Sequence, residues 1–144
     1  MIINFSLEKI IVIKSKEPTG NLEAKNNVKI TNISEQNIAS IAKTKAALNI
    51  HFSFTIAYEP NIAEVNFEGK VLYLTDEKTK KSMLDEWKKD KKIDPKISQP
   101  ILNNILTKCN IKALTLTNDV NLPPHIPFPR LALKSDVDTQ RTAS

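Results

Sequence analysis

Two runs of strict alternation, separated by a turn, constrain this chain more than any other feature. Leu48, Ile50, Phe52, Phe54, Ile56 and Tyr58 share one parity, and His51, Ser53, Thr55 and Ala57 share the other. Glu59-Pro60-Asn61 interrupts the run. Ala63, Val65, Phe67, Val71 and Tyr73 then line one face against Glu64, Asn66, Glu68 and Lys70. A period of two is the period of a pleated strand with one buried face. Two such strands joined by a short turn predict a long antiparallel hairpin. Gly69 interrupts the apolar series and marks a bulge or the close approach of another backbone.

The segments before the hairpin are also strand-like. Ile3, Phe5, Leu7, Ile11 and Ile13 share a parity, with Asn4, Ser6 and Glu8 on the other, which predicts a half-buried strand. Glu17-Pro18-Thr19-Gly20-Asn21 has the composition of a turn. Val28 and Ile30 mark a second strand whose register is lost by Ile33. Residues 34–47 mix helical spacing at Ile38, Ile41 and Ala42 with loop-forming residues, and are read as a connection with at most one helical turn.

The periodicity changes after Thr75-Asp76. Met83, Leu84 and Trp87 form a short stripe among Lys, Asp and Glu, which predicts an amphipathic helix over about 77–91. Asp94-Pro95 has the form of an N-cap followed by proline in the first helical position. Ile97, Ile101, Leu102, Ile105, Leu106, Cys109 and Ala113 keep helical spacing, giving a second helix over about 96–115. Pro100 either kinks that helix or moves its start to Ser98. Four prolines among residues 123–129 then force an extended segment, and the residues from Lys134 onward are polar. The expected fold class is α+β, a four-stranded antiparallel sheet followed by two helices. One domain spans 1–133, and residues 134–144 form a polar tail expected to be disordered. The chain shows no internal repeat.

Composition narrows the chemistry. With 144 residues, 40% hydrophobic and 26% charged, the chain suits one globular domain. Two glycines cannot build a glycine-rich phosphate loop. The single Cys109 excludes an internal disulfide and any multi-cysteine metal site. Its place on the apolar stripe fits a buried structural thiol. Of two histidines, His51 lies on the polar parity of a strand and His125 lies between prolines, and no metal-ligand spacing links them. Glu64 and Glu68 share a strand face but are too far apart to act as a pair. These residues predict no enzyme, metal or cofactor. The amino-terminal apolar stretch is interrupted by Asn4, Ser6, Glu8 and Lys9, which fits neither a signal peptide nor a membrane span, so a cytoplasmic protein is expected.

The net charge of +5 is spread thinly, at +1 over residues 1–75, +2 over 76–92 and +2 over 93–144. Arg130 and Arg141 are the only arginines. Dispersed charge and scarce arginine argue against nucleic acid, which needs clustered basic residues on one face. Apolar surface is the stronger signal. A four-stranded sheet under two helices buries one face, yet the first strand carries Ile10 and Val12, and the fourth Leu72 and Leu74, on the opposite parity. The extended tail displays Leu122, Ile126 and Phe128. These seven residues are the candidates for polypeptide binding or an oligomer interface. Two alternatives stay open: residues 34–47 cover the sheet surplus, and the tail packs as a lid over the second helix.

At the second helix and tail the sequence resembles the SecB family of protein-export chaperones. In that family four antiparallel strands precede two helices, the second helix begins at a proline, and an Asn-Leu-x-Pro-like segment follows. Pro100 and Asn121-Leu122-Pro123-Pro124-His125-Ile126-Pro127-Phe128 match that order here. Phe54-Thr55-Ile56-Ala57-Tyr58 is similar to the third strand of the family. Ala63 to Tyr73 is similar to the fourth. A divergent, archaeal-type SecB-like group with a proline-rich tail is closer still. The resemblance spans about residues 3–130 and implies an ATP-independent, cofactor-free holdase for unfolded polypeptides, assembled as a dimer or tetramer. In bacterial SecB an acidic sheet surface and a metal-binding tail contact the SecA motor. This chain is basic and has no such tail, which puts SecA as a partner in doubt. Two other functions remain. A nucleic-acid or ribosome-associated module is supported by a pI near 9.3 and would show a continuous patch including Lys80, Lys81, Lys88 and Lys89. A non-catalytic oligomeric scaffold would bury its apolar surface completely.

Overall fold

The computed structural model describes residues 1–18, 20, 22–36 and 45–126. Most of the 34–47 connection, Phe128 and the polar tail lie outside these residues. Strands β1 (Ile2–Lys14), β2 (Glu23–Gln36), β3 (Ala46–Glu59) and β4 (Ala63–Thr75) precede helices α1 (Glu77–Asp90) and α2 (Pro95–Asp119). The four strands form one antiparallel sheet in the order β1-β4-β3-β2. The hairpin predicted from alternation is therefore the centre of the sheet, and β1 and β2 are its edges. The strands at both ends of the 34–47 connection run further than expected, through Gln36 and from Ala46.

β3 and β4 keep one register from Ala46↔Thr75 to Tyr58↔Ala63. Leu48, Ile50, Phe52, Phe54, Ile56 and Tyr58 of β3, with Val65, Phe67 and Val71 of β4, are almost completely buried. Phe54 stacks on Phe67 with centroids 5.7 Å apart. Burying large apolar side chains of this kind contributes roughly 1.5–3 kcal/mol each. Both helices lie on this face, α1 against β3 and β2, and α2 against β1 and β2.

The edge strands depart from simple alternation. In β1 the partner of Leu7 is Gly69 and the partner of Lys9 is Glu68, so Glu8 is an extra residue. A second irregularity lies between Ile2 and Asn4. Each bulge inverts the parity that follows. Ile10 and Val12 thus join Phe5 and Leu7 on the helix-covered face, and Ile11 and Ile13 turn to the other. This corrects the single parity expected for Ile3, Phe5, Leu7, Ile11 and Ile13. In β2 a bulge at Thr31 returns Ile33 to the core side, where it is buried, and this accounts for the register lost in the sequence. Gly69 sits opposite the β1 bulge. A Cβ there would collide with the Ser6 carbonyl oxygen and come within 2.9 Å of the Phe52 ring, so β1 can lie flat only over a glycine.

The helix ends follow the expected capping chemistry. Asp76 caps α1, its carboxylate accepting from the Thr79 amide at 2.7 Å and the Thr79 hydroxyl at 3.0 Å. Met83 and Trp87 are buried, and Lys88 and Lys89 in the last turn are exposed. Asp94 caps α2 by accepting from the Lys96 amide at 3.0 Å, and Pro95 takes the first position. The helix passes through Pro100, which removes one backbone donor near its start. Ile101, Ile105, Cys109, Ala113 and Thr117 form its buried line at a spacing of four.

Candidate functional site

A helix residue touches a neighbouring element alongside those three, four and seven positions away. Lys108, Ile111, Lys112 and Thr115 have that spacing, one row outside the buried line of α2. They face Phe5, Leu7 and Ile10 of β1 across an open groove of about 420 Å³. The floor is apolar. Ile10 is 47% and Ile111 62% exposed, unusually high for isoleucines beside a core. The Phe5 ring stacks on Phe52 at 5.3 Å, and the Lys108 ammonium lies 5.4 Å from its centroid on the solvent side. The groove exists because β1 is an edge strand, so nothing in the sheet flanks its outer side.

A second groove, of about 480 Å³, lies between the end of α2 and the tail. Leu114, Thr115, Thr117, Asn118, Asp119, Leu122 and Pro124 line it, and Thr115 borders both grooves. The tail is fixed at several points. Asn121 adopts a left-handed backbone conformation, which lets the Leu122 amide return to the Thr117 carbonyl at 2.9 Å. Leu122 is buried in the core. The Tyr58 hydroxyl donates to the Pro123 carbonyl at 2.6 Å, and Lys14 Nζ donates to the Val120 carbonyl at 3.0 Å. His125 Nε2 lies 2.8 Å from Asn110 Oδ1, and its ring meets Phe54 edge to face. Its Nδ1 is buried without a partner among the described residues. Burial lowers the His125 pKa from its ordinary value, because an imidazolium there would lose its hydration.

Six of the seven candidate residues occupy three places. Ile10 lines the β1–α2 groove, and Val12 is half-buried against the core on the same face. Leu72 and Leu74 are half-buried at one end of the helix-free face, opposite Asn49 and Ala47. Leu122 is a core residue and Ile126 is half-buried in the tail. Phe128 lies outside the described residues. On the helix-free face, Ile11 and Ile13 lie at the end far from Leu72 and Leu74. The ion pairs Lys9–Glu68 and Glu8–Lys70, both 3.6 Å, separate the two apolar ends. Sequence reasoning missed Ile111 as exposed surface, and missed that the half-buried Phe5 and Leu7 line a groove with it. Ile111 carried a readable signal, an isoleucine off the apolar stripe of α2.

Burial pushes the Cys109 thiol up to about 12, so it stays protonated and is a poor nucleophile. His51 lies 3.3 Å from Ser34 Oγ on the helix-free face. Among the described residues no cluster of three or more His, Cys, Asp or Glu is placed to hold a metal. Lys80 is held by Glu35 at 2.8 Å and Glu77 at 3.3 Å. Asp85 falls between Lys81 and Lys88 on the α1 surface, so the lysines there do not form a continuous basic stripe. No helix among the described residues is long and apolar enough to cross a membrane.

A four-stranded antiparallel sheet with two following helices on one face is the SecB-like α+β fold. The same architecture is found in the SecB-like chaperone Rv1957 of Mycobacterium tuberculosis, solved in complex with a ChAD peptide from the Rv1956 HigA1 antitoxin. The superposition has a TM-score of 0.55 at 14% identity and covers 86% of this chain and 85% of that one. No protein-family model matches the sequence, and no curated protein matches it.

Proposed function

We propose that this chain is an ATP-independent, holdase-type chaperone that binds unfolded polypeptides, and that it belongs to the divergent archaeal-type branch of SecB-like proteins with proline-rich tails. The observation that carries the reading is the β1–α2 groove. It exposes apolar side chains beside the free edge of a sheet, the arrangement that suits an extended peptide. A solved chaperone of the same fold holds a peptide, which supports the same class of ligand here. Protein export in the cytoplasm, without a cofactor, is the setting that the family resemblance offers.

Aggregation suppression tests this directly. The full chain, mixed with an unfolding model protein, is expected to hold light scattering near baseline at a stoichiometric ratio. An unchanged scattering trace would remove the chaperone reading. A second reading, a non-catalytic oligomeric scaffold, is favoured by the unpaired edge of β1 and the exposed Ile3, Ile10 and Ile13. It predicts a dimer or tetramer by multi-angle light scattering with no effect on aggregation.

A further inference from the structure

We propose that the β1–α2 groove selects extended polypeptide segments in which apolar side chains stand next to acidic ones. This rests on the holdase reading and specifies its client class. Three observations carry it. The floor of the groove is apolar on both sides, with Phe5, Leu7 and Ile10 facing Ile111. Its helix-side rim bears two ammonium groups, Lys108 and Lys112, both exposed. Neither forms an ion pair among the described residues.

Among the described residues no carboxylate balances this rim. Glu8, on the bulge of β1, is turned to the helix-free face and pairs with Lys70. The one acidic residue within α2 is Asp119, which lines the other groove, one turn beyond Thr115. The rim therefore presents uncompensated positive charge directly above apolar surface. A segment whose apolar side chains enter the groove places its neighbouring side chains at the level of the lysines. Carboxylates there gain a partner, and ammonium groups meet like charge. The apolar floor and the strand edge favour an extended peptide over a phosphate-bearing strand, which would leave the floor unfilled.

The test is a fluorescence-anisotropy titration of the full chain with two short peptides. Both carry the same alternating apolar residues, one with aspartates at the intervening positions and the other with lysines. The acidic peptide is expected to bind roughly tenfold tighter at low salt, with the gap closing as salt rises. The double substitution Lys108→Glu and Lys112→Glu should invert the preference. The pair Lys88→Glu and Lys89→Glu on α1, which changes net charge equally, should leave it unchanged. Circular dichroism melts confirm that both variants fold. Equal binding of the two peptides, or a preference that the groove charges do not invert, overturns the proposal. Tighter competition by a single-stranded oligonucleotide would assign the rim to nucleic acid and overturn it as well. If neither peptide binds while aggregation is still suppressed, clients bind elsewhere and only the groove assignment falls. If suppression is also absent, the holdase reading falls with it.

Discussion

β1 and β3 are nearly the same length, at 13 and 14 residues, and both are rich in large apolar residues. Their fates differ completely. Every even-numbered apolar side chain from Leu48 to Tyr58 in β3 is buried, whereas no residue of β1 is. β3 has a partner on each side and an unbroken register with β4, so its pleat holds one row of side chains against the helices. β1 has one partner and two bulges. Its apolar residues are divided between the two faces and an open groove. Apolar content alone therefore does not make a core strand; flanking partners and constant register do.

The largest way to break this contrast is to truncate the central strand. Phe54→Ala removes a buried ring that packs on both Phe67 and the His125 ring, and should cost about 3–5 kcal/mol in urea unfolding. A loss below about 1 kcal/mol would show that β3 is not the core strand that its burial indicates. Next is the point where the two halves of the sheet meet. Gly69→Val should cost about 1–3 kcal/mol by forcing β1 away from β4, and amide exchange should accelerate in β1 before β3. Uniform acceleration across the sheet would separate Gly69 from the seating of β1.

A smaller effect should appear with pH. The His125 pKa is lowered in the folded state, so the unfolded chain takes up the proton first as pH falls. Stability should be full above the ordinary imidazole value, near 6.5, and decline as pH drops through the folded value. His125→Gln should flatten that part of the profile, and an unchanged slope would place the titration elsewhere. The smallest stability effect belongs to the edge. Ile10→Ser should shift unfolding by no more than about 0.5 kcal/mol yet measurably weaken aggregation suppression. Weakened stability with intact suppression would reverse the roles given to the two strands.

The central hairpin, both helices and the Asp94 N-cap were legible in the sequence, because each depends on local periodicity or on one capping side chain. Asp76 and Asp94 act as their residue types predict. The bulges were not legible. Nothing in Glu8 or Thr31 distinguishes an extra residue from a paired one, although Gly69 signalled a close backbone approach without locating it. Ile10 and Val12 were read as a second parity, on the face the helices leave bare. Their placement on the same face as Phe5 required the bulge. The candidate groove was hidden for a related reason. Its walls come from β1 and α2, about a hundred residues apart, and only packing brings Ile111 opposite Phe5. Leu122 looked like display on an extended segment, but the left-handed Asn121 folds it back into the core.

The β1 bulges also bear on how such a surface survives in a crowded solution. A long, flat strand edge with exposed isoleucines would recruit copy after copy of itself into a fibre, since identical edges pair in register without limit. Interruptions after Ile2 and Leu7 leave uninterrupted pairing stretches from Asn4 to Leu7 and from Lys9 to Lys14, with a twist between them. Neither continues the other in a straight line, so the edge does not offer one continuous template to a second copy.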